Sequence, residues 1–534
     1  MLQICNFLHN FSHLLVIYAP NLIEFREFKT QGDFMKKIIA LSTVAFLSTA
    51  LYADAAMQKQ IDELTKKLEV MEKKQDRNIQ KIGEVNALAA KDNIKFDVDF
   101  RTSYDNLQYK TASGQKYKND GLYSNRLWLG MGYAPTDTMV FKGQLAYHKA
   151  FGAAATSSSG MPQRGMGFDT FDWISSEALN DDKLRVREVY WLWTPTVGSF
   201  PMTVSVGRRP STGGYLVNLR DDDTSKSPMG HVINMEFDGA SAGVSLDKFV
   251  TGMNFKLCLG RGLTNAKSWA NQADSATQVN MQTPTSPNYI KEDGALDTID
   301  MAGFIFVPYD DGQYAVSTTW YRGFNVPGLT YGGSTNPANP AAPHIMALKT
   351  VGDMDGMAIS AKVEGIGDGI NDFLDGTTLF ASFAASITHP DNITSHMTPM
   401  GPVLASTMLG SADSETGTSF WLGAQIPNLT GGKFGLEYNH GSKYWRPFTY
   451  GEDTMIGSKL AARGDAYEAY WTQPLIKDVF SMQVRYTYIK YKYTGSDGFF
   501  GDGGTPMTMS EAQGMGMDPV EKAQDIRVYF RYRY

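Results

Sequence analysis

The 534-residue sequence predicts an all-β fold, a transmembrane antiparallel β-barrel of about sixteen strands preceded by a short N-terminal α-helical coiled coil. Three observations predict the barrel. From residue 94 onward apolar residues recur with a period near two, which is typical of strands with one apolar face. Short connections alternate with long ones, as in outer-membrane barrels. Residues 525–534 alternate between apolar side chains and largely charged ones, as expected of a strand between lipid and water.

Composition excludes several other classes of protein. Hydrophobic residues make up 42% of the chain, which is too many for a disordered protein. No segment reaches the roughly 20 consecutive apolar residues that a membrane-spanning helix needs. The formal net charge of −7 argues against nucleic acid as a partner, because phosphate binding needs a concentrated positive surface. Cys5 and Cys258 are not spaced for a disulfide or a metal site, and we expect no metal and no cofactor.

The N-terminal residues predict export. Met35 is followed by two lysines, an apolar segment over 38–51 and small residues at Ala53 and Ala55, which is typical of a secretory signal peptide over 35–53. Residues 1–34 lack this pattern. We interpret them as an upstream extension from a misplaced start codon, with an unusually long leader as the alternative.

Residues 54–93 predict the coiled coil. Over 57–89 apolar residues recur at alternating spacings of four and three, interrupted by a polar layer at Gln75 and Asn78. A sustained 3.5-residue repeat produces a left-handed coiled coil, and a polar layer can fix its register. A homotrimer is our first choice. A single helix that docks on the barrel or the cell wall is the alternative.

Residues 94–534 form the predicted barrel. An even number of strands returns both chain ends to the same side of the membrane. The aromatic C-terminal residue, Tyr534, resembles the terminal signal that the barrel assembly machinery recognises in outer-membrane proteins. The sixteen predicted strands lie at 94–104, 123–133, 138–148, 184–194, 202–209, 233–246, 252–260, 297–307, 313–322, 354–364, 376–388, 417–426, 432–440, 465–473, 479–492 and 525–534.

The strand faces predict a basic lumen. When the apolar face of each strand is placed toward lipid, eight cationic residues become candidate pore-lining residues: Arg101, Arg126, Lys142, Arg209, Arg485, Arg527, Arg531 and Arg533. Charged side chains that line a pore set its selectivity, so this wall favours anions. The alternative is that the arginines pair with inward carboxylates at Asp97, Asp99, Glu437 and Glu468 and give no net preference.

Two acidic clusters interrupt the connections. Asp221, Asp222 and Asp223, here called the acidic triplet, fall in a long connection, while Asp310 and Asp311 fall in a short one. Neither cluster has the ligand spacing of a calcium site. We expect both to be solvated.

Three segments resemble a known family. They are EVYWLW at 188–193, VGRRPSTGG at 206–214 and EYNHGSKYW at 437–445. They resemble an uncharacterised porin-like family of proteobacterial outer-membrane proteins with an N-terminal coiled coil, and the overall plan is similar to that of trimeric anion porins. The resemblance implies a location in the bacterial outer membrane, contact with its lipid and no catalytic residue.

Three functions remain open on the sequence. The first is a porin that allows passive diffusion of small hydrophilic solutes. The second is a surface adhesin or scaffold whose lumen is occluded by its loops. The third is a barrel phospholipase with Ser442 as nucleophile and His440 as its base. Such an enzyme also needs an Asn or Asp that orients His440, and none is evident on the same outward strand face, since Asn439 points inward.

Overall fold

The computed structural model describes residues 94–152, 179, 184–209, 211–264, 266–267, 290–291, 297–334, 344–367, 370–391, 394–398, 401–404, 409–449, 453–477, 479–496 and 505–534. The upstream extension 1–34, the signal peptide 35–53 and the coiled coil 54–93 lie outside these residues and stay predictions. None of the helices within the described ranges is both long and apolar enough to cross a membrane.

Sixteen antiparallel strands close into a barrel. Each pairs with the next in sequence, and the last pairs with the first. Each overlaps one predicted strand, so the predicted barrel of sixteen strands is confirmed. The strands are β1 (Lys95–Thr111), β2 (Lys116–Thr136), β3 (Met139–Ala150), β4 (Arg185–Trp193), β5 (Phe200–Arg209), β6 (Phe237–Ser245), β7 (Asn254–Leu263), β8 (Ile299–Asp310), β9 (Tyr314–Ser334), β10 (His344–Glu364), β11 (Thr378–Pro390), β12 (Thr416–Pro427), β13 (Lys433–Gly441), β14 (Gly464–Ile476), β15 (Phe480–Tyr491) and β16 (Val520–Arg533).

The two ends of the chain join to close the barrel. The register between β1 and β16 extends from Asp99 opposite Arg533 to Thr111 opposite Val520. Tyr534 adds two backbone hydrogen bonds with Val98, of 2.9 and 2.8 Å. Closure pairs every strand edge, and this is required because a hydrocarbon layer offers no partner to a free backbone N–H or C=O.

The two faces of the wall differ as the alternation predicted. On β16, Arg527 is fully buried and Arg531 is nearly so, while the residues that precede them, Ile526 and Phe530, are each 44% exposed on the outer face. Many other large apolar side chains are exposed on the same outer surface. An apolar outer band of this kind is typical of a barrel that contacts lipid.

Short and long connections alternate around the barrel. The end with the short turns is called the turn end, and the opposite end is called the loop end. The connection between β1 and β2 differs from the prediction: it is the four-residue turn 112–115, because both strands extend well beyond their predicted ends. Among the described residues three helices lie in the connections: α1 (Asn218–Asp221) between β5 and β6, α2 (Asp372–Asp375) between β10 and β11, and α3 (Met509–Gly514) before β16. The remaining short strands are Thr196–Val197, Gly214–Tyr215, Lys226–Met229, Ala266–Lys267, Ile290–Lys291, Thr394–Thr398 and Gly401–Leu404.

Two long connections fold into the barrel. Loop A (residues 211–236) joins β5 to β6 and contains helix α1 (Asn218–Asp221), and loop B (residues 442–449 and 453–463) joins β13 to β14. The loops bond to each other, since the Asn234 N–H donates to the Phe448 carbonyl at 2.7 Å. Around this contact, buried apolar side chains of both loops pack with the inner wall. The largest apolar core among the described residues therefore lies inside the barrel.

Candidate functional site in the barrel lumen

Loop B brings one carboxylate to the predicted basic wall. Asp453 accepts hydrogen bonds from Arg527 Nη1 (2.9 Å) and Arg101 Nη2 (2.9 Å), and from Arg101 Nη1 by a shorter contact. Its carboxylate lies 3.6 Å from Arg126 Nη1. Its backbone carbonyl accepts a hydrogen bond from Arg485 Nη2 at 2.8 Å. Arginines from four strands, β1, β2, β15 and β16, therefore meet at one residue of loop B.

Charge governs the ionisation of Asp453. Burial by itself raises the pKa of a carboxyl group, but Arg101 and Arg527 hold the pKa of Asp453 well below its ordinary value of 3.8. Charged at neutral pH, it offsets part of the repulsion among the buried guanidinium groups around it. Charge-assisted hydrogen bonds of this kind are about twice as strong as neutral ones.

A second ion-pair cluster forms around Lys459, which lies farther along loop B than Asp453. Lys459 Nζ lies 2.6 Å from Glu437 Oε2 on β13 and makes a shorter contact with Glu468 on β14. Trp421 Nε1 donates to Glu437 at 2.9 Å, and Thr487 Oγ1 donates to Glu468 at 2.8 Å. The two glutamates face inward as predicted, but their cationic partner comes from loop B.

Loop A crosses the lumen to the opposite wall. It begins and ends at β5 and β6, yet Gln425 on β12 donates to the Leu219 carbonyl and Gln483 on β15 donates to the Arg220 carbonyl, both at 2.8 Å. Arg220 Nη1 also lies 3.5 Å from Glu468 Oε1. These contacts place helix α1 against the wall farthest from the strands that carry its loop.

The expectation that the acidic triplet is solvated was wrong for Asp221 and Asp223, while the side chain of Asp222 is exposed. Arg531 Nε donates to Asp99 at 2.9 and 3.0 Å, and its Nη2 lies 3.0 Å from Asp223. Arg533 Nη2 lies 2.8 Å from Asp223 and donates to the Asp221 carbonyl at 2.6 Å. Although burial raises the pKa of a carboxyl group, Arg220 and other arginines hold the pKa of Asp221 well below its usual range. The triplet thus binds the basic wall near the turn end.

The remaining two predicted cations lie on the other side of loop A. A cavity of 550 Å³ separates loop A from the wall, and Lys142, Glu188 and Tyr190 line it. The Arg209 guanidinium lies 4.4 Å from the centre of the Tyr190 ring. Lys226 of loop A pairs with Glu188 by a short contact. The described structure therefore brings six of the eight predicted cations onto the two loops and leaves Arg209 and Lys142 near this cavity.

The alternation of inward and outward residues did not predict that Arg187 faces the lumen. The register of β3 with β4 shifts between Gln144 and Leu145, so a bulge on β4 turns both Arg187 and Glu188 inward. Arg187 Nη1 donates to Gln144 at 2.6 Å, and the guanidinium lies 4.0 Å from the centre of the Trp128 ring. A strictly alternating pattern carries no signal for such a bulge.

The phospholipase hypothesis needs one correction. An orienting acid for His440 does exist: His440 Nδ1 lies 2.7 Å from Asp465 Oδ1 on the neighbouring strand β14. The sequence could not pair these residues because their register depends on the length of the connection between β13 and β14. Ser442, however, bonds to the backbone, since its Oγ accepts a hydrogen bond from the Thr418 N–H at 2.8 Å. In the described residues no hydrogen bond joins Ser442 to His440.

Comparison with known proteins gives a family. A model of a family described as "Protein of unknown function (DUF3373)" matches residues 116–534. The chain belongs to the DUF3373 family. A search of the curated proteins finds no significant match.

Solved structures similar to this DUF3373 protein include three outer-membrane barrels. OmpF of Salmonella typhi, in complex with daunomycin, is 11% identical with a TM-score of 0.40, over 82% of this chain and 98% of that one. OprB of Pseudomonas putida is 11% identical with a TM-score of 0.41, over 83% and 94%. An anion-selective porin from Comamonas acidovorans is 13% identical with a TM-score of 0.41, over 82% and 100%.

Proposed function

We propose that this protein is a porin-type channel of the bacterial outer membrane through which small hydrophilic solutes diffuse passively, and that loops A and B close it. The closed sixteen-strand barrel with an apolar outer face and a charged inner face supports the channel. One observation carries the closure: four wall arginines gather on Asp453 of loop B. This function requires no catalytic residue.

The pairing also bears on ion preference. In the closed arrangement the acidic residues of the loops offset much of the basic wall. When loop B leaves, Arg101, Arg126 and Arg527 would face water without Asp453, and a wall with exposed guanidinium groups favours anions. We therefore propose that an anion preference belongs to the open channel. On the separate ground of the 3.5-residue repeat, we propose that a homotrimer forms through the coiled coil at 54–93.

Site-directed thiol labelling tests the route of the solutes. Ser317 on β9 faces inward and lines the 550 Å³ cavity, and its neighbour Thr318 lies on the outer face of the same strand. Single cysteines at these positions, in a background with Cys5 and Cys258 replaced by serine, are treated with a charged thiol reagent during conductance recording in planar bilayers. We expect block of Ser317→Cys and none of Thr318→Cys. Equal behaviour of the two variants would contradict a route through this cavity.

A scaffold barrel with an occluded lumen is the second candidate function. The buried apolar cluster that joins both loops to the inner wall favours it, because such packing resists opening. If neither the parent nor a variant with weakened loop contacts conducts in bilayers or swells liposomes, the scaffold function is supported. Sucrose-gradient fractionation of cell envelopes tests the proposed outer-membrane location separately.

A further inference from the structure

Four lysines stand directly opposite one another on adjacent strands near the loop end. Lys490 on β15 is opposite Lys522 on β16, Lys522 is opposite Lys110 on β1, and Lys110 is opposite Lys116 on β2. We call this row the lysine ladder. It continues unbroken across the seam where the barrel closes.

The ladder lies on the outer face of the barrel. The neighbours of Lys490 along β15, Ile489 and Tyr491, are buried inside, and so is Ala523 next to Lys522. Alternation along each strand therefore directs the lysines outward. The outward row two residues nearer the turn end is polar, since Gln524 bonds to both Gln108 (2.8 Å) and Tyr486 (3.0 Å).

We expect the ladder to destabilise the protein when nothing binds it. Side chains directly opposite on neighbouring strands have Cβ atoms about 5 Å apart, and like charges in that arrangement repel. Within the described part of the chain, no carboxylate lies at ion-pair distance from any of the four lysines. The acid opposite Lys490, Asp465, is already engaged by Lys492 (2.8 Å) and His440 (2.7 Å).

Position and charge together indicate the occupant. Farther toward the turn end, the same outer face carries Val484, Val528 and Phe530, which suit lipid chains. The ladder thus lies at the level where lipid headgroups begin, on the side of the long loops. We propose that the lysine ladder binds the phosphate groups of an anionic lipid in the outer leaflet. The proposal rests on the membrane location proposed above.

A charge-removing double variant tests the proposal. Lys110→Gln with Lys522→Gln removes the two central charges, and Lys95→Gln with Lys477→Gln removes two exposed charges at the turn end as a matched control. Each purified protein is titrated in detergent with diphosphoryl lipid A, with phosphatidylcholine and with inorganic phosphate, and bound lipid is counted by native mass spectrometry. Near a membrane surface each lysine contributes about fivefold in affinity for anionic lipid, so the ladder variant should bind lipid A roughly 25-fold more weakly than the parent or the control.

Two outcomes would overturn the lipid site. One is equal affinity of the ladder variant and the control for lipid A. The other is an equal rise in the melting temperature of the parent with inorganic phosphate and with lipid A, when both supply the same concentration of phosphate groups. Without lipid the ladder variant should melt at or above the parent's temperature, because repulsion is relieved, which separates lost binding from misfolding. Its conductance should be unchanged, so failure of this site is distinguishable from failure of the proposed channel.

Discussion

Replacing Asp453 with asparagine should open the channel. Asparagine has nearly the same shape, but it removes the negative charge that Arg101 and Arg527 contact at 2.9 Å and that Arg126 approaches to 3.6 Å. The side chain of Asp453 is 6% exposed, so water screens these contacts little. The arginines stay fixed in the barrel wall, and the cost therefore falls on the docking of loop B.

The size of the effect follows from the burial of the pair. Removal of one partner from a buried ion pair costs about 3–5 kcal/mol. If that free energy acts on the equilibrium between docked and released loop B, the released fraction increases about 150-fold to 5,000-fold while it remains small. The barrel strands keep their backbone pairing and their apolar outer face, so the resistance of the folded barrel to unfolding in detergent should not change.

Single-channel recording in planar bilayers measures the open-time fraction directly. The matched control is Asp413→Asn, which makes the same chemical change at an exposed residue of the connection between β11 and β12. We expect a much larger open fraction only in Asp453→Asn. The open current should prefer anions at low salt and lose this preference as salt shortens the Debye length from about 10 Å. An open fraction equal to that of the control, in protein that is folded normally, would refute the closing role of loop B.

Three other predictions follow from the same structure and sequence. Because the pKa of Asp453 lies well below 3.8, the stability from its ion pairs is present above that ordinary value and is lost only as the pH falls through the lower one; the ratio of the open fraction of Asp453→Asn to that of the parent should therefore not change between about pH 7 and about pH 4, and a fall of this ratio within that range would contradict the assignment. Tyr534→Ala should lower the yield of folded barrel in the membrane, as measured by envelope fractionation, because it removes the aromatic C-terminal residue that resembles the assembly signal. The molecules that fold should conduct like the parent in bilayer recordings, because the backbone of residue 534 still pairs with Val98. Deletion of residues 57–89 should lower the temperature at which the oligomer dissociates on gels, because the apolar contacts of the coiled coil are lost; an oligomer of unchanged stability would exclude that role.

The strands and their faces could be predicted because both depend on local pattern. A period of two is visible within each strand, and lipid requires the apolar side chains to face outward. The same pattern predicts that Arg101, Arg126 and Arg527 face inward, and all three are buried in the structure. Arg187 was missed because a single-residue bulge on β4 reverses the parity and leaves no mark in the alternation.

The contents of the lumen could not be predicted in the same way. The acidic triplet and Asp453 lie in connections without periodicity, and some of their partners are more than 300 residues away in the chain, as in the pair of Arg101 with Asp453. The pair of His440 with Asp465 likewise depends on the register between β13 and β14. Such partners are fixed only after the barrel has closed.

Local pattern alone thus predicts the number of strands, their inward and outward faces and the basic character of the inner wall, because each depends on residues that are neighbours in one strand. The entry of loops A and B into the barrel, and the offset of the wall by their carboxylates, are visible only in the folded protein. Burying like charges together is costly. The arginines on separate strands come close only when the barrel closes, and only then do distant acidic residues of the loops gain by docking between them.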